Sequence, residues 1–289
     1  MNVSPAAPRS CLSVPGSSAR MLAKAFESSA DEVVIDLEDA VAADAKDEAR
    51  TQVVAFLAGA TTKRRVAVRV NAAGTPWCHS DLIALAGLDH PPATVVVPKV
   101  ESAGDVAFVE RLLTGVSARP AGTGIRVQAL IESAAGLVAV DEIAASGASL
   151  EALILGYADL AASLGRDPGA TSWHPARERL LWAARAHGLR AIDGPHLGIA
   201  VDNAFTAGLA EATSAGFDGK WVIHPGQIDA VNEAFTPGAA QVDWAERVLA
   251  ALAAGEEQGL GAVALDGAML DEAIAVRARR VLARNGATR

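Results

Sequence analysis

Residues 126–159 read RVQALIESAAGLVAVDEIAASGASLEALILGYAD. Two continuous apolar runs, 126–132 and 151–156, flank a stretch at 137–146 whose apolar residues recur at helical spacing. A run that is apolar on both faces suits a parallel strand covered by helices on either side. The segment therefore reads as β–α–β. Its first strand ends in Glu132, and its second is followed by Asp159.

The same alternation extends in both directions. Strands are expected at 10–15, 32–37, 65–70 and 94–99 before this unit, and at 189–193 and 220–225 after it, eight in all. Helical patterns occupy 18–30, 44–57, 103–113, 176–187, 203–215 and 227–234, with Gly188, Gly216 and Pro225 at junctions. Eight β–α alternations without a long linker predict a (β/α)8 TIM barrel. The competing open doubly wound sheet would carry a glycine-rich phosphate loop after its first strand, where this chain has VPGSSAR. A barrel of about 250 residues leaves a tail within the 289-residue chain. Residues 1–236 are assigned to the barrel and 237–289 to a C-terminal helical extension or lid. In that tail 242–254 reads as a helix, 256–263 as a glycine-bearing loop and 266–284 as a further helix-rich element.

Composition removes several classes. With 51% apolar and 20% charged residues the chain can bury a core, so disorder is excluded. Two cysteines cannot build a disulfide scaffold, and Cys11 and Cys78 read as reduced thiols of a cytoplasmic protein. A net charge of −9 argues against nucleic acid. No apolar run is long enough to span a membrane, and MNVSPAAPRS does not read as a signal peptide. Cys78 beside His79 supplies two metal-ligand types but no second cluster, so both read as ordinary residues.

In a barrel, chemistry sits at the carboxyl ends of the strands. Here those ends carry Asp36, Glu38, Asp39, Arg69, Asn71, Lys99, Glu101, Glu132, Asp159, Asp193, His196 and His224. Glu132 and Asp159 follow consecutive strands. Two carboxylates brought together repel unless a proton or cation lies between them, and Mg2+ suits a few carboxylates with substrate oxygens and waters. Pairing of each acid with an arginine is the alternative. Arg69 lies in an otherwise apolar strand and needs an anionic partner, either a rim acid or a substrate carboxylate.

The segments VVIDLEDAV (33–41), RVNAAGTPW (69–77), VPKVES (97–102), ALIESAAG (129–136), LGYADLAASLG (155–165) and GKWVIHPGQI (219–228) together resemble the citrate lyase β-subunit-like family. This group of HpcH/HpaI-type aldolases also contains malyl-CoA and citramalyl-CoA lyases. The resemblance runs from about residue 11 to 275, nearly the whole chain. It implies a (β/α)8 barrel, Mg2+ dependence, a homotrimer or hexamer, and making or breaking a carbon–carbon bond in a short 3-hydroxyacyl-CoA thioester.

Residue by residue, the resemblance implies Glu132 and Asp159 as metal ligands and Arg69 as substrate contact. Asp36 and Glu38 match acids beside the metal. Tyr157 and Ala158 adjoin the metal loop, where Tyr157 would shape the acyl pocket. The segment DGAMLDEAI (266–274) resembles the family's lid motif, and its Asp271 matches an acid that reaches a neighbouring subunit's site. Arg20 and Lys24, one turn apart, match basic positions that contact CoA; two solvated helix charges are the alternative. Ile223, His224 and Pro225 match the loop near the pantetheine, although His224 also fits a core histidine. Glu38 or a metal-bound water is expected to take the hydroxyl proton. The turn within 165–173 reads as a variable loop at the pocket entrance. Three other functions compete: a citrate lyase β subunit acting on an acyl-carrier thioester, a thioesterase of the same fold, and a non-catalytic binding barrel.

Overall fold

The structure is a computed structural model that describes residues 7–60, 64–116, 124–167, 169 and 172–286. The loop expected within 165–173 lies partly outside the described residues. The chain divides into two compact units, Pro8–Asn232 and one built mainly from Glu233–Arg289.

The first unit alternates strand and helix. Its first half runs β1 (Ser10–Pro15), α1 (Ala19–Glu27), β2 (Glu32–Asp36), α2 (Lys46–Gly59), β3 (Arg65–Arg69), α3 (Cys78–Ala86), β4 (Thr94–Val97) and α4 (Ala103–Val116). The second half runs β5 (Arg126–Ile131), α5 (Ala134–Val138), α6 (Val140–Ala144), β6 (Leu150–Leu155), α7 (Tyr157–Ser163), α8 (His174–Ala186), β7 (Arg190–Asp193), α9 (Asn203–Ala215) and β8 (Gly219–Val222). The strands pair in sequence order and close, β8 against β1, into a parallel eight-stranded barrel. The expected (β/α)8 architecture is the observed one.

Apolar side chains from all eight strands fill the barrel interior. Cys11, Val34, Ala67, Val96, Leu130, Ala152, Ile154, Ile192 and Trp221 form one buried cluster. With few aromatics in the chain, Trp221 supplies much of the volume that fills it. Polar caps start the helices where they must turn away from the strands. Ser18 Oγ accepts from Met21 N, Ser133 Oγ from Gly136 N and Asp202 Oδ1 from Phe205 N. Gly216 ends α9 at φ 101, in the left-handed region that glycine enters freely.

One local reading changes. The stretch 137–146 is not one helix but two short ones meeting at Ala139. Cys78 begins a helix, α3, whose buried face includes Cys78 itself and Asp81. Burial, and then Asp81, push the Cys78 thiol up to about 12, so it is an inert packing group.

In the second unit, α10 (Ile228–Phe235), which straddles the division, is followed by α11 (Ala239–Glu257), β9 (Val263–Leu265), β10 (Ala268–Leu270) and α12 (Glu272–Gly286). The expected helix-rich element at 266–284 thus opens with an antiparallel hairpin. Its turn is Asp266–Gly267, with φ of 52 and 79. An Asp-Gly pair with both φ positive is the favoured two-residue hairpin turn, and its hand matches the strand twist. Ala245, Val248, Leu270 and Ala278 form this unit's own core.

Candidate active site at the carboxyl ends of the strands

Register sets the site. β2 and β3 align so that Asp36 stands opposite Arg69 at their carboxyl ends. Arg69 Nε donates to Asp36 Oδ1 at 2.8 Å and Nη2 donates to Oδ2 at 2.5 Å, a two-pronged pair. Asp36 also accepts from the amides of Glu38 and Ala40. Its oxygens are therefore committed to orienting Arg69 and the loop that follows β2. The guanidinium lies 5.8 Å from the Trp221 ring centre. Burial alone would lower the Arg69 pKa, but Asp36, Glu38 and Asp39 together hold it above its ordinary value.

The third nitrogen, Arg69 Nη1, lies 2.8 Å from Glu38 Oε2. That oxygen is buried and has no hydrogen bond of good geometry, so the contact is an ion pair only. Glu38 Oε1 accepts from Lys99 Nζ. Burial raises the Glu38 pKa against the opposing pull of Arg69 and Lys99. Behind it, the buried Lys46 donates to the carbonyls of Leu37 at 2.9 Å and Glu38 at 2.6 Å, tying down the loop.

Across the rim, Glu132 is 3% exposed at the end of β5. Its Oε1 accepts from the Lys99 amide at 2.8 Å. Its carboxyl pKa is pushed up to about 8, first by burial and then by the charges of Glu38 and Asp159. Gly156, between β6 and the Asp159 helix, makes this approach possible, because a Cβ there would sit 2.7 Å from Glu132 Oε2. Asp159 lies in the first turn of α7 and is half-buried. Two carboxylates on one rim, one of them buried and facing like charge, fit a hard divalent cation through oxygen donors. Among the described residues no group of three or more His, Cys, Asp or Glu gathers as a metal cluster. The pair would therefore need further oxygens from substrate or water.

Lys99 was legible as a rim charge but not as a hub. It is one of two non-glycine residues with positive φ among the described residues, at 52. The left-handed region disfavours side chains by about 1–2 kcal/mol. The two bonds from Lys99 to Glu132 and Glu38 offset it.

On the other side of the barrel mouth, Tyr157 is buried with its hydroxyl fully engaged. It donates to Asp193 Oδ1 and accepts from Arg177 Nε at 2.7 Å. Lys220 Nζ donates to Asp193 Oδ2 at 2.5 Å and to the Gly194 carbonyl at 2.6 Å. Gly194 must be a glycine, since a Cβ would meet the Leu155 carbonyl at 2.1 Å and the Tyr157 ring at 2.8 Å. Asp193 and Tyr157 are therefore buried and bonded to each other, while Ala158 beside them is exposed.

Arg20 and Lys24 are both exposed on α1. Ile223, His224 and Pro225 follow β8 and are exposed too, so the core-histidine reading of His224 falls. Its Nδ1 accepts from Gly226 N at 3.1 Å. Because β1 and β8 are neighbours, α1 and the 223–225 loop leave adjacent strands. Asp271 belongs to the second unit, not to the barrel. There its Oδ1 accepts from Ala273 N at 3.0 Å and Ile274 N at 3.3 Å, which makes it the cap of α12.

Known proteins share this arrangement of sequence and fold. A family model described as HpcH/HpaI aldolase/citrate lyase matches residues 9–225. An L-malyl-CoA/beta-methylmalyl-CoA lyase of Cereibacter sphaeroides is 36% identical over 294 residues, covering 92% of this chain and 91% of that protein. A (3S)-malyl-CoA thioesterase of the same species is also 36% identical, covering 96% of this chain and 94% of that one. The crystal structure of CitE from Mycobacterium tuberculosis with magnesium, acetoacetate and coenzyme A is 34% identical. It covers 98% of this chain and 99% of its own, with a TM-score of 0.79.

Proposed function

This chain belongs to the HpcH/HpaI aldolase/citrate lyase family, and on that premise we propose that it is a magnesium-dependent carbon–carbon lyase. Its substrate is a short 3-hydroxyacyl-CoA such as malyl-CoA or citramalyl-CoA, which it cleaves to an oxoacid and an acyl-CoA or forms in reverse. The observation that carries this reading is the buried Glu132, pushed up to about 8 by burial, Glu38 and Asp159 on the rim that also holds Arg69. A lyase relative and a solved relative bound to magnesium and coenzyme A support the substrate class.

Glu132 and Asp159 would hold Mg2+. When bound, the ion supplies Lewis acidity and a template for the substrate's carboxylate and hydroxyl oxygens. The rest of the work falls to the chain's own groups. Glu38, its pKa raised by burial, takes the hydroxyl proton. As the bond between the carbinol carbon and the thioester α-carbon breaks, its electron pair passes into the thioester. Arg69, already oriented by Asp36, stabilises that negative charge without moving. Asp271 then protonates the α-carbon, and in the family's pattern it is supplied by a neighbouring copy in a homotrimer or hexamer. Tyr157 and Ala158 border the acyl pocket. Arg20 and Lys24 meet the CoA phosphates, and Ile223, His224 and Pro225 flank the pantetheine. Two free buried cysteines support a reducing compartment, the cytoplasm.

The test is a product assay. Purified protein with Mg2+ is given malyl-, citramalyl- and 3-hydroxy-3-methylglutaryl-CoA, and oxoacid and free CoA are measured separately. Oxoacid with acyl-CoA is expected. Free CoA with intact hydroxyacid would move the assignment to a thioesterase, the activity named for one relative. No turnover of any substrate sinks both. Asp271 needs two variants, because it also caps α12. Asparagine caps as well as aspartate but donates no proton. Asp271→Asn is expected to lose turnover at unchanged Tm, whereas Asp271→Ala loses turnover and about 1 kcal/mol of stability.

A further inference from the structure

One residue joins the two acidic halves of the rim. Lys99 follows β4, and its amide donates to Glu132 Oε1 at 2.8 Å while its ammonium donates to Glu38 Oε1. The residue that serves both acids has a left-handed backbone, at φ 52. Other cations near the rim are committed differently: Arg69 pairs with Asp36 and Glu38, and Lys46 bonds the carbonyls of Leu37 and Glu38. The side chain of Lys99 is 40% exposed, whereas that of Glu38, which its ammonium meets, is 6% exposed.

We infer that Lys99 is a positioning residue for the reaction. Its left-handed amide aims Glu132 towards Asp159, and its ammonium holds Glu38 in place as the proton acceptor. The inference deepens the proposed lyase reading and rests on it for the roles of Glu132 and Glu38. The two functions of Lys99 separate by substitution. Glycine keeps the left-handed backbone at no steric penalty and removes only the ammonium. Alanine removes the ammonium and leaves a side chain in a region it disfavours.

The experiment compares wild type, Lys99→Gly, Lys99→Ala and Lys99→Arg by calorimetric titration with Mg2+ and by steady-state lyase kinetics. Lys99→Gly is expected to bind Mg2+ within twofold of wild type, with kcat at least tenfold lower and KM for the thioester within twofold. Lys99→Ala is expected to show the same fall in kcat and also a Mg2+ Kd at least fivefold weaker. Lys99→Arg recovers part of kcat, because it restores a cation to Glu38. Equal Mg2+ affinity in the glycine and alanine variants, or wild-type kcat in Lys99→Gly, overturns the inference. A wild-type protein that binds no Mg2+ or turns over no thioester sinks the lyase reading separately. Crystal structures of the two variants then decide the lysine. Glu132 keeping its bond to the residue 99 amide in the alanine variant overturns the inference, and losing it there but not in the glycine variant supports it.

Discussion

The two ends of the barrel bury the same kinds of side chain and use them in opposite ways. At the amino ends of the strands, Glu32 accepts from Arg65 Nε at 2.7 Å, and Arg65 also pairs with Glu151. Gln128 donates to both acids, at 3.3 Å to Glu32 Oε2 and 3.2 Å to Glu151 Oε1, and Thr94 joins them. Arg190 lies 3.7 Å from Glu151. At the carboxyl ends, Asp36, Glu38, Asp39, Glu132 and Asp159 gather around Arg69 and Lys99. Burial raises the pKa of Glu32 and of Glu132 alike. The next influences on Glu32 are Arg65 and Gln128, which lower it, whereas those on Glu132 are Glu38 and Asp159, which raise it further. One end is a balanced plug that closes the barrel. The other carries surplus negative charge, which is unfavourable without a cation and available to one.

Substitution at the carboxyl end tests that contrast most severely. Glu132→Gln is expected to lower kcat by at least about 10³-fold, since it removes a proposed ligand of the metal. It should nevertheless raise the Tm of the metal-free protein, most clearly above pH 8, because an ionised Glu132 is repelled there by its neighbours. Oxoacid release and thermal melts in a chelator measure the two effects, and a fall in metal-free Tm would break the comparison.

The matching change at the amino end should have the reverse signature. Glu32→Gln removes one of the two carboxylates that Arg65 pairs with in a buried network, at a cost of about 3 kcal/mol. Denaturant unfolding should show that loss, while kcat per folded molecule stays at the wild-type value. A large fall in kcat would mean that the two ends are not independent.

The smallest effect is the pH dependence of metal binding. With Glu132 as the proposed metal ligand, Mg2+ competes there with a proton, because burial and then Glu38 and Asp159 push its carboxyl up to about 8. Apparent affinity should rise about tenfold per pH unit up to about pH 8 and level off above it. The sign for stability follows. The folded protein holds this proton more tightly than the unfolded chain, so the metal-free protein loses stability as pH rises towards 8, and Mg2+ restores it. Calorimetric titrations between pH 6 and 9 measure the slope, and a flat profile removes Glu132 from the metal site.

Much of the barrel was legible because its signal is local. Buried parallel strands read as unbroken apolar runs such as EVVID and TVVV, and a charge directly after such a run stands on the rim. The tail hairpin was legible as well, in Asp266–Gly267, but the helical run that follows drew the whole stretch into one element. The break at Ala139 has no comparable marker in its residue types. Lys99 was visible as a charge, yet nothing in VPKVES announces a left-handed lysine, because φ there is set by partners 33 and 61 residues away in the chain.

By itself the sequence determined the class of fold, the eight strands of the barrel and the set of acids and bases at their ends. Those follow from apolar periodicity and from residue types at short spacing. Only the tertiary structure decided which charges neutralise each other. Asp36 is spent on Arg69, Asp193 on Tyr157 and Lys220, and Glu132 is left among like charges. The reason is that Coulomb interactions depend on separation and burial, and barrel closure brings together residues that are far apart in the chain.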